Sequence, residues 1–330
     1  MVWDVEPLPD TLYIVVPCYN EEAVLPEASS RLRDKLRRLV CEGLAGGDSR
    51  ILFVDDGSAD RTWDIIETLH ASDPTFSGVK LARNRGHQNA LLAGLMTAMN
   101  HADVTVSIDA DLQDDVECLD EFMRQYYGGC DIVYGVREDR VSDTAFKRWS
   151  AQAFYKLLKL FRVNIVYNHA DYRLMSRRAL EGLSSFREVN LFLRGIVPLI
   201  GYRSGTVKYS RAERFAGESK YPLKKMLAFA WDGVSSFSVH PLRMITILGL
   251  LAIIAGLGLA LYAIIMAILP DSIVPGWSAL MISVWLLGGF QLLALGVIGE
   301  YIGKIYSEVK DRPKYIIETI LDQEGRMNEG

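Results

Sequence analysis

Apolar and polar positions alternate in blocks along the first part of the chain. Thr11–Val16, Ile51–Val54, Val79–Leu81, Val104–Ile108 and Ile132–Gly135 are short apolar runs bounded by turn residues, the mark of buried strands. Segments with helical spacing lie between them, from about Val24 to Val40, Thr62 to His70, Asn89 to Met99 and Val116 to Tyr127. Strand and helix alternating at this spacing predict a mostly parallel sheet with helices on both faces, an α/β fold. Pro17 is expected to stop the first strand, and Ser58 or Asp60 to cap the helix from Thr62. Arg31, Arg33, Lys35, Arg37 and Arg38 make the first helix basic, which predicts a solvated face.

The pattern changes after residue 243. The only charged residue between Met244 and Gly299 is Asp271, so Met244–Leu269 and Trp277–Gly299 are both uncharged. Each run exceeds the ~20 residues that cross a bilayer, and soluble helices of that length normally show a polar face. Two membrane spans are predicted, joined by Pro270–Gly276 as an antiparallel hairpin. Asp143–Arg162 and Tyr221–Ser238 interleave large apolar residues with Lys and Arg, and read as amphipathic helices on a membrane surface or packed on the sheet. Lys224, Lys225 and Arg243 flank one end of the hairpin; Lys304, Lys310, Arg312 and Lys314 flank the other; the connecting loop has no Lys or Arg. The positive-inside rule then puts both termini and the α/β domain in the cytoplasm, in a multi-pass protein of the cell's inner membrane. The expected organisation is an α/β domain over 1–220, an interface helix over 221–243, two transmembrane helices over 244–303 and a cytoplasmic tail over 304–330. Glycines such as 249, 256, 288 and 296 permit close helix packing, within the hairpin or in a homo-oligomer.

Composition narrows the function. A net charge of −5 over 330 residues, with no basic arm, gives no case for nucleic acid. Met1–Asp10 has neither a basic stretch nor an apolar core, so no signal peptide is expected. Cys18, Cys41, Cys118 and Cys130 are scattered without metal-ligand spacing, which suits reduced thiols in the cytosol.

The candidate chemistry sits at strand ends. The strand from Val104 runs into Asp109-Ala110-Asp111-Leu112-Gln113, two carboxylates that repel unless a cation lies between them. Oxygen-only ligands suit Mg²⁺ or Mn²⁺, which commonly hold substrate phosphates as well. The plainer alternative is a strand end with acidic helix caps, a job Asp114 and Asp115 could do. Two other strands end in polar turns on the same edge, at Tyr19/Glu21 and Asp55/Asp56. Together they describe a crevice for a base or ribose beside a metal-held diphosphate, at the edge where open α/β sheets bind ligands. No Gly-x-Gly-x-x-Gly and no Walker sequence is present, which disfavours a dinucleotide oxidoreductase or a P-loop ATPase.

Val15-Val16-Pro17-Cys18-Tyr19-Asn20-Glu21-Glu22, Val54-Asp55-Asp56-Gly57-Ser58-Ala59-Asp60-Arg61-Thr62 and Asp109-Ala110-Asp111-Leu112-Gln113 resemble glycosyltransferase family 2, with its GT-A fold. Within it the chain is similar to the polyisoprenyl-phosphate glycosyltransferases, relatives of dolichyl-phosphate mannose synthase. Arg83-Asn84-x-Gly86-His87-Gln88, Asp171-Tyr172-Arg173-Leu174-Met175 and Ala216-Gly217-Glu218-Ser219-Lys220-Tyr221-Pro222 extend the likeness, and the two spans complete it. The resemblance implies that Pro17, Tyr19, Glu21 and Asp56 contact the nucleoside. It implies that Asp109, Asp111 and Gln113 hold metal and diphosphate, that Arg137 and Lys220 meet phosphate, and that Asp171 is the candidate base. Arg85 stands where an aromatic is common, and Asp114-Asp115 replaces a Pro-containing turn.

The resemblance implies inverting transfer of a hexose from a nucleotide diphosphate to a polyisoprenyl phosphate of the undecaprenyl type, for cell-envelope glycan modification. UDP-glucose is expected ahead of GDP-mannose. Lys147, Arg148, Arg173, Arg211 and Arg214 are candidates for the acceptor phosphate. A phosphate monoester has a second pKa of about 6 and needs little help from a base, so Asp171 fits a positioning role as readily. The chain has no Gln-x-x-Arg-Trp, the acceptor motif of processive polysaccharide synthases, so single transfer is expected. The alternatives are a membrane-anchored transferase with a non-lipid acceptor and a catalytically inactive membrane scaffold.

Overall fold

The computed structural model describes residues 9–137, 169–188, 192–210, 240–268 and 276–322. Strands β1 (Leu12–Cys18), β2 (Arg50–Asp55), β3 (Phe76–Leu81), β4 (Val104–Ser107), β5 (Ile132–Arg137), β6 (His169–Ser176), β7 (Ser204–Tyr209) and β8 (Ile317–Leu321) form one 8-stranded sheet. Their order is β7-β5-β6-β4-β1-β2-β3-β8. All but β6 and β8 run in one direction, so the sheet is mostly parallel, as predicted. The two reversed strands were not foreseen: β6 inserts between β4 and β5, and β8 covers the free edge of β3.

The four central parallel strands follow from their sequences. Strands covered on both faces read as unbroken apolar runs, and every residue of β1 is buried. Pro17 does not stop β1, which continues to Cys18. Beyond Val15, β1 pairs only with β2, through Pro17 opposite Val54 and Cys18 opposite Asp55. A proline without an N–H is tolerated where one side of the ladder has ended.

Helices α1 (Leu25–Cys41), α2 (Thr62–Ser72), α3 (His87–Ala98), α4 (Leu119–Tyr127), α5 (Arg177–Ser184) and the short α6 (Leu193–Ile196) connect or flank these strands. In α1, Leu25, Ala28, Leu32, Leu36 and Leu39 recur at helical spacing and are buried. Its basic residues are not a purely solvated face. Lys35 is 1% exposed and pairs with Glu117 at 2.9 Å and Asp120 at 2.7 Å, tying α1 to the start of α4. Arg38 joins Glu117, and Arg37 joins Asp73. Helix α3 lies so close to the sheet that a Cβ on Gly94 would come within 2.5 Å of Val15 Cγ1 and 2.6 Å of Val54 Cγ2.

The described residues divide into two compact units, one holding the sheet together with 313–322, the other holding α7 (His240–Ile268) and α8 (Trp277–Val309). Among the described residues no helix is long and apolar enough to cross a membrane. Side chains at 253, 255, 259–260, 263–268, 277–279, 281–282 and 285–286 fall outside the described set, so the uncharged runs of the sequence enter that statement only in part. The expected tail over 304–330 is not a tail throughout: residues 304–309 continue α8, and β8 belongs to the sheet. Asp143–Arg162 and Tyr221–Ser238, the expected interface segments, lie outside the described residues. All four cysteines are free thiols.

Candidate active site

The loops after β1 and β2 are fastened to each other. Asn20, at φ 55°, donates its N–H to Ser58 Oγ at 2.9 Å, and its side-chain carbonyl accepts from Ala59 N at 2.9 Å. Glu21 N donates to Thr62 Oγ1, and Glu22 exchanges bonds with Asp60 and the Arg61 N–H. Neither Ser58 nor Asp60 is the N-cap of α2: Arg61 holds that place without a side-chain cap bond, and Asp60, one residue earlier, accepts from Thr62 N at 3.0 Å. Pro17 is buried within β1, and Tyr19 stands 47% exposed on the fastened loop.

Asp55 and Asp56 are both buried and both raised by desolvation, against hydrogen bonds that favour their ionised forms. Asp55 accepts from Ser58 N. Asp56 accepts from Arg85 N at 2.7 Å and Gly86 N at 2.8 Å, which anchors the turn into α3. Gly57, at φ 68°, lets the β2 loop approach that turn: a Cβ there would meet the Arg83 carbonyl carbon and Asn84 N at 2.7 Å. The residue expected to read the nucleoside thus also holds up the neighbouring loop.

After β4 the chain turns through Asp109–Asp115. Leu112 takes φ 57°, a conformation costing a non-glycine residue about 1–2 kcal/mol. Its side chain packs with Val24 and Ala28 at the start of α1, which holds the turn. Asp111 Oδ1 accepts from Gln113 N at 3.2 Å, and Gln113 is 9% exposed. The capping job falls to Asp115, which accepts from Glu117 N at 3.0 Å. That leaves Asp109 and Asp111 clear of helix capping. Desolvation, with repulsion from Asp114, Asp171 and Asp111 against the attraction of His87, pushes the Asp109 carboxyl up to about 6. Among the described residues no group of three His, Cys, Asp or Glu could hold a metal by itself. The donor set still suits a hard divalent cation. It is oxygen-rich and crowded with negative charge, and a bound diphosphate would complete the coordination.

Asp171 on β6 lies beneath this cluster. Its side chain is 5% exposed and accepts from Arg173 at 2.6 Å, from Arg194 at 3.0 and 3.3 Å and from Gln88 Nε2 at 3.2 Å. His87 Nε2 lies 3.6 Å from Asp171 and 3.5 Å from Asp109, bridging the two. Burial opposes ionisation of Asp171, but Arg194, His87 and Arg173 hold its carboxyl well below the usual range. A carboxylate so engaged is a weak proton acceptor. Burial works against protonation of His87, yet Asp171 and Asp109 raise its imidazole above the ordinary value.

Of the other expected site residues, Arg137 ends β5 beside Asp114 and Tyr209. Arg173 is corrected. It is 1% exposed, spent on Asp171 and the Leu193 carbonyl, and not open to an acceptor phosphate. Lys147, Arg148, Arg211, Arg214 and Lys220 lie outside the described residues. Reasoning from sequence assigned no role to His87 and Gln88, although both stand in a quoted motif. Arg194 and Tyr209 carried no local signal.

Residues 13–184 match the family described as Glycosyl transferase family 2. The uncharacterized glycosyltransferase YkoT of Bacillus subtilis is 53% identical over 317 residues, covering 95% of this chain and 93% of its own. The SfII prophage-derived bactoprenol glucosyl transferase of Shigella flexneri is 40% identical over 306 residues, covering 92% of this chain and 96% of its own. Among solved structures, glucosyl-3-phosphoglycerate synthase from Mycobacterium tuberculosis with Mn²⁺, UDP and glucosyl-3-phosphoglycerate reaches a TM-score of 0.40 at 18% identity, over 68% of this chain and 78% of that one; a likeness of that size carries no argument. Motif, sheet and full-length relatives agree: the chain belongs to glycosyltransferase family 2.

Proposed function

We propose that the protein transfers glucose from UDP-glucose to the phosphate of an undecaprenyl-type lipid, with inversion, to supply lipid-linked sugar for the cell envelope. The observation that carries the reading is the carboxylate cluster around Asp109, on the sheet edge shared with the Tyr19 and Asp56 loops. It suits a cation-held diphosphate next to a nucleoside. The lipid acceptor and the glucose are drawn from the relatives named bactoprenol glucosyl transferase, matched over 92% of this chain and 96% of theirs.

A Mg²⁺ or Mn²⁺ ion bound by Asp109 and Asp111, with Gln113 alongside, would neutralise the leaving diphosphate as the glycosidic bond breaks. Arg137 adds a fixed positive charge at the carboxyl end of β5, where Lys220 is a further candidate. Tyr19, exposed on a loop already fastened, offers a face for the base. The acceptor phosphate attacks as its dianion, since its second pKa is about 6. Asp171 therefore acts by position: it orders Arg194 and Gln88 around the cleft and takes no proton. Lys147, Arg148, Arg211 and Arg214 are the proposed cations for the acceptor.

Helices α7 and α8, of 29 and 33 residues, are the proposed membrane hairpin. At 1.5 Å per residue even 29 residues reach roughly 44 Å, against a hydrocarbon core of about 30 Å. Leu250, Ile254, Leu257, Leu261, Leu287 and Leu292 are exposed along them, apolar surface that lipid would cover. The Lys and Arg pattern supports a cytoplasmic sheet domain in the inner membrane.

The test uses full-length protein in detergent with radiolabelled UDP-glucose, UDP-galactose or GDP-mannose, with and without undecaprenyl phosphate. Label should enter the organic phase only with UDP-glucose and lipid together, and EDTA should stop it. Label reaching only a water-soluble acceptor would replace the lipid reading. No turnover of any donor would favour an inactive scaffold.

A further inference from the structure

Tyr209 closes β7 and is 2% exposed. In the parallel pairing of β5 with β7 it lies directly opposite Arg137. Arg137 Nε donates to the Tyr209 hydroxyl at 3.2 Å, so the phenol's single proton goes to its other neighbour, Asp114 Oδ1. Arg137 also reaches Asp114 Oδ1 at 3.6 Å. The Tyr209 ring is itself fixed, edge-on to Tyr172 with centroids 5.4 Å apart. Tyr172 donates its hydroxyl to the Asp115 carbonyl at 2.9 Å. Two buried tyrosines thus hold the Asp114-Asp115 turn, and one of them also grips Arg137.

An arginine side chain carries about 2 kcal/mol of rotamer entropy, which must be lost before its fork can meet a phosphate. Here that ordering is done before substrate arrives. Asp114 alone would draw Arg137 down onto the carboxylate turn. The phenol takes Nε from one side and satisfies the buried Asp114 oxygen from the other, so the guanidinium stands 3.6 Å from Asp114 instead of closing on it. We propose that Tyr209 is a positioning residue for sugar transfer: it acts through Arg137, setting that side chain in place for the donor diphosphate. The inference rests on the reading of Arg137 as a phosphate-binding group.

A double-mutant cycle on full-length protein in detergent tests it, with kcat and KM for UDP-glucose measured at saturating lipid phosphate. Arg137→Ala should lower kcat/KM about 100-fold, since an ionic contact to the leaving group is lost. Tyr209→Phe should lower it roughly tenfold, equivalent to about 1.4 kcal/mol, with UDP-glucose KM raised and lipid KM unchanged. In the Arg137→Ala background, Tyr209→Phe should cost nothing further. Effects that multiply would overturn the inference, because Tyr209 would then act on the fold independently of Arg137. A silent Tyr209→Phe would overturn it as well. A silent Arg137→Ala would instead sink the assignment of Arg137, and this inference with it. If Tyr209→Phe proves poorly folded, Arg137→Lys reports from the other side. It keeps the charge but loses the Nε contact with the phenol, so it should lose about as much as Tyr209→Phe; an Arg137→Lys enzyme equal to wild type would overturn the inference.

Discussion

Asp171→Asn separates a positioning carboxylate from a general base. The substitution keeps the shape of the side chain and one acceptor oxygen, and removes the charge. Arg173, 1% exposed and 2.6 Å from the carboxylate, would be left as a buried cation without its counter-ion. Breaking a buried pair in this way costs about 3–5 kcal/mol. Arg194 is 33% exposed and can turn to water, so its share is small and the lower end applies. A loss of about 3 kcal/mol at roughly 2–4 °C per kcal/mol predicts a fall in Tm of about 6–12 °C. Unfolding of the full-length protein in detergent can be followed by tryptophan fluorescence, with Trp63 buried in α2 as an internal reporter. Adding Arg173→Met should return much of the loss, because the stranded charge goes too. The pH dependence has a definite sign. The folded pKa of Asp171 lies below its unfolded value, so its stabilisation is present above the ordinary carboxylate pKa of about 3.9 and is lost as pH falls through the lower folded value. A Tm within about 2 °C of wild type, with turnover abolished, would refute this reasoning and restore Asp171 as the base.

Other predictions follow from features nearby. Asp111→Asn should leave Tm near wild type yet remove most turnover; activity within a few-fold of wild type would remove the metal from the mechanism. Gly94→Ala should lower Tm, since its Cβ would overlap Val15 and Val54 at 2.5 and 2.6 Å. Overpacking of this kind costs about 1–3 kcal/mol, and an unchanged Tm would mean that α3 can slide without penalty. For topology, Ser272→Cys in a background lacking the native cysteines should be labelled from outside intact cells, and Arg312→Cys should not. The reverse pattern would place the donor site on the wrong side for a cytosolic nucleotide sugar.

What could be read from the sequence was local. The parallel core showed itself because strands buried on both faces need unbroken apolar runs, and Asp109–Gln113 because two acids at a strand end are costly without a partner. What stayed hidden depends on distant pairing. Nothing local says that His169–Ser176 reverses between β4 and β5, although its alternating Tyr172 and Leu174 read as a strand in hindsight. The same holds for Ile317–Leu321. Charge was visible but burial was not: Lys35 and Arg173 looked like solvated or substrate-facing cations and are instead enclosed with their acids. Asp115 took the cap that freed Asp109, a division of labour among neighbouring aspartates that only geometry resolves.

Strand β8 sets the order in which the molecule can be completed. Lys80 on β3 meets Glu318 on β8 at 3.3 Å across 238 residues of chain. A ribosome adding about 5–20 residues per second needs roughly 12–48 s to make that stretch. Through that interval β3 has made its bonds to β2 and waits with its other edge open, the kind of edge that recruits foreign strands. Both long apolar helices emerge before the residues that close it. The residues of α7 and α8 are therefore made while the sheet is not yet finished, and a chain cut short after α8 would keep the helices and never acquire its last strand.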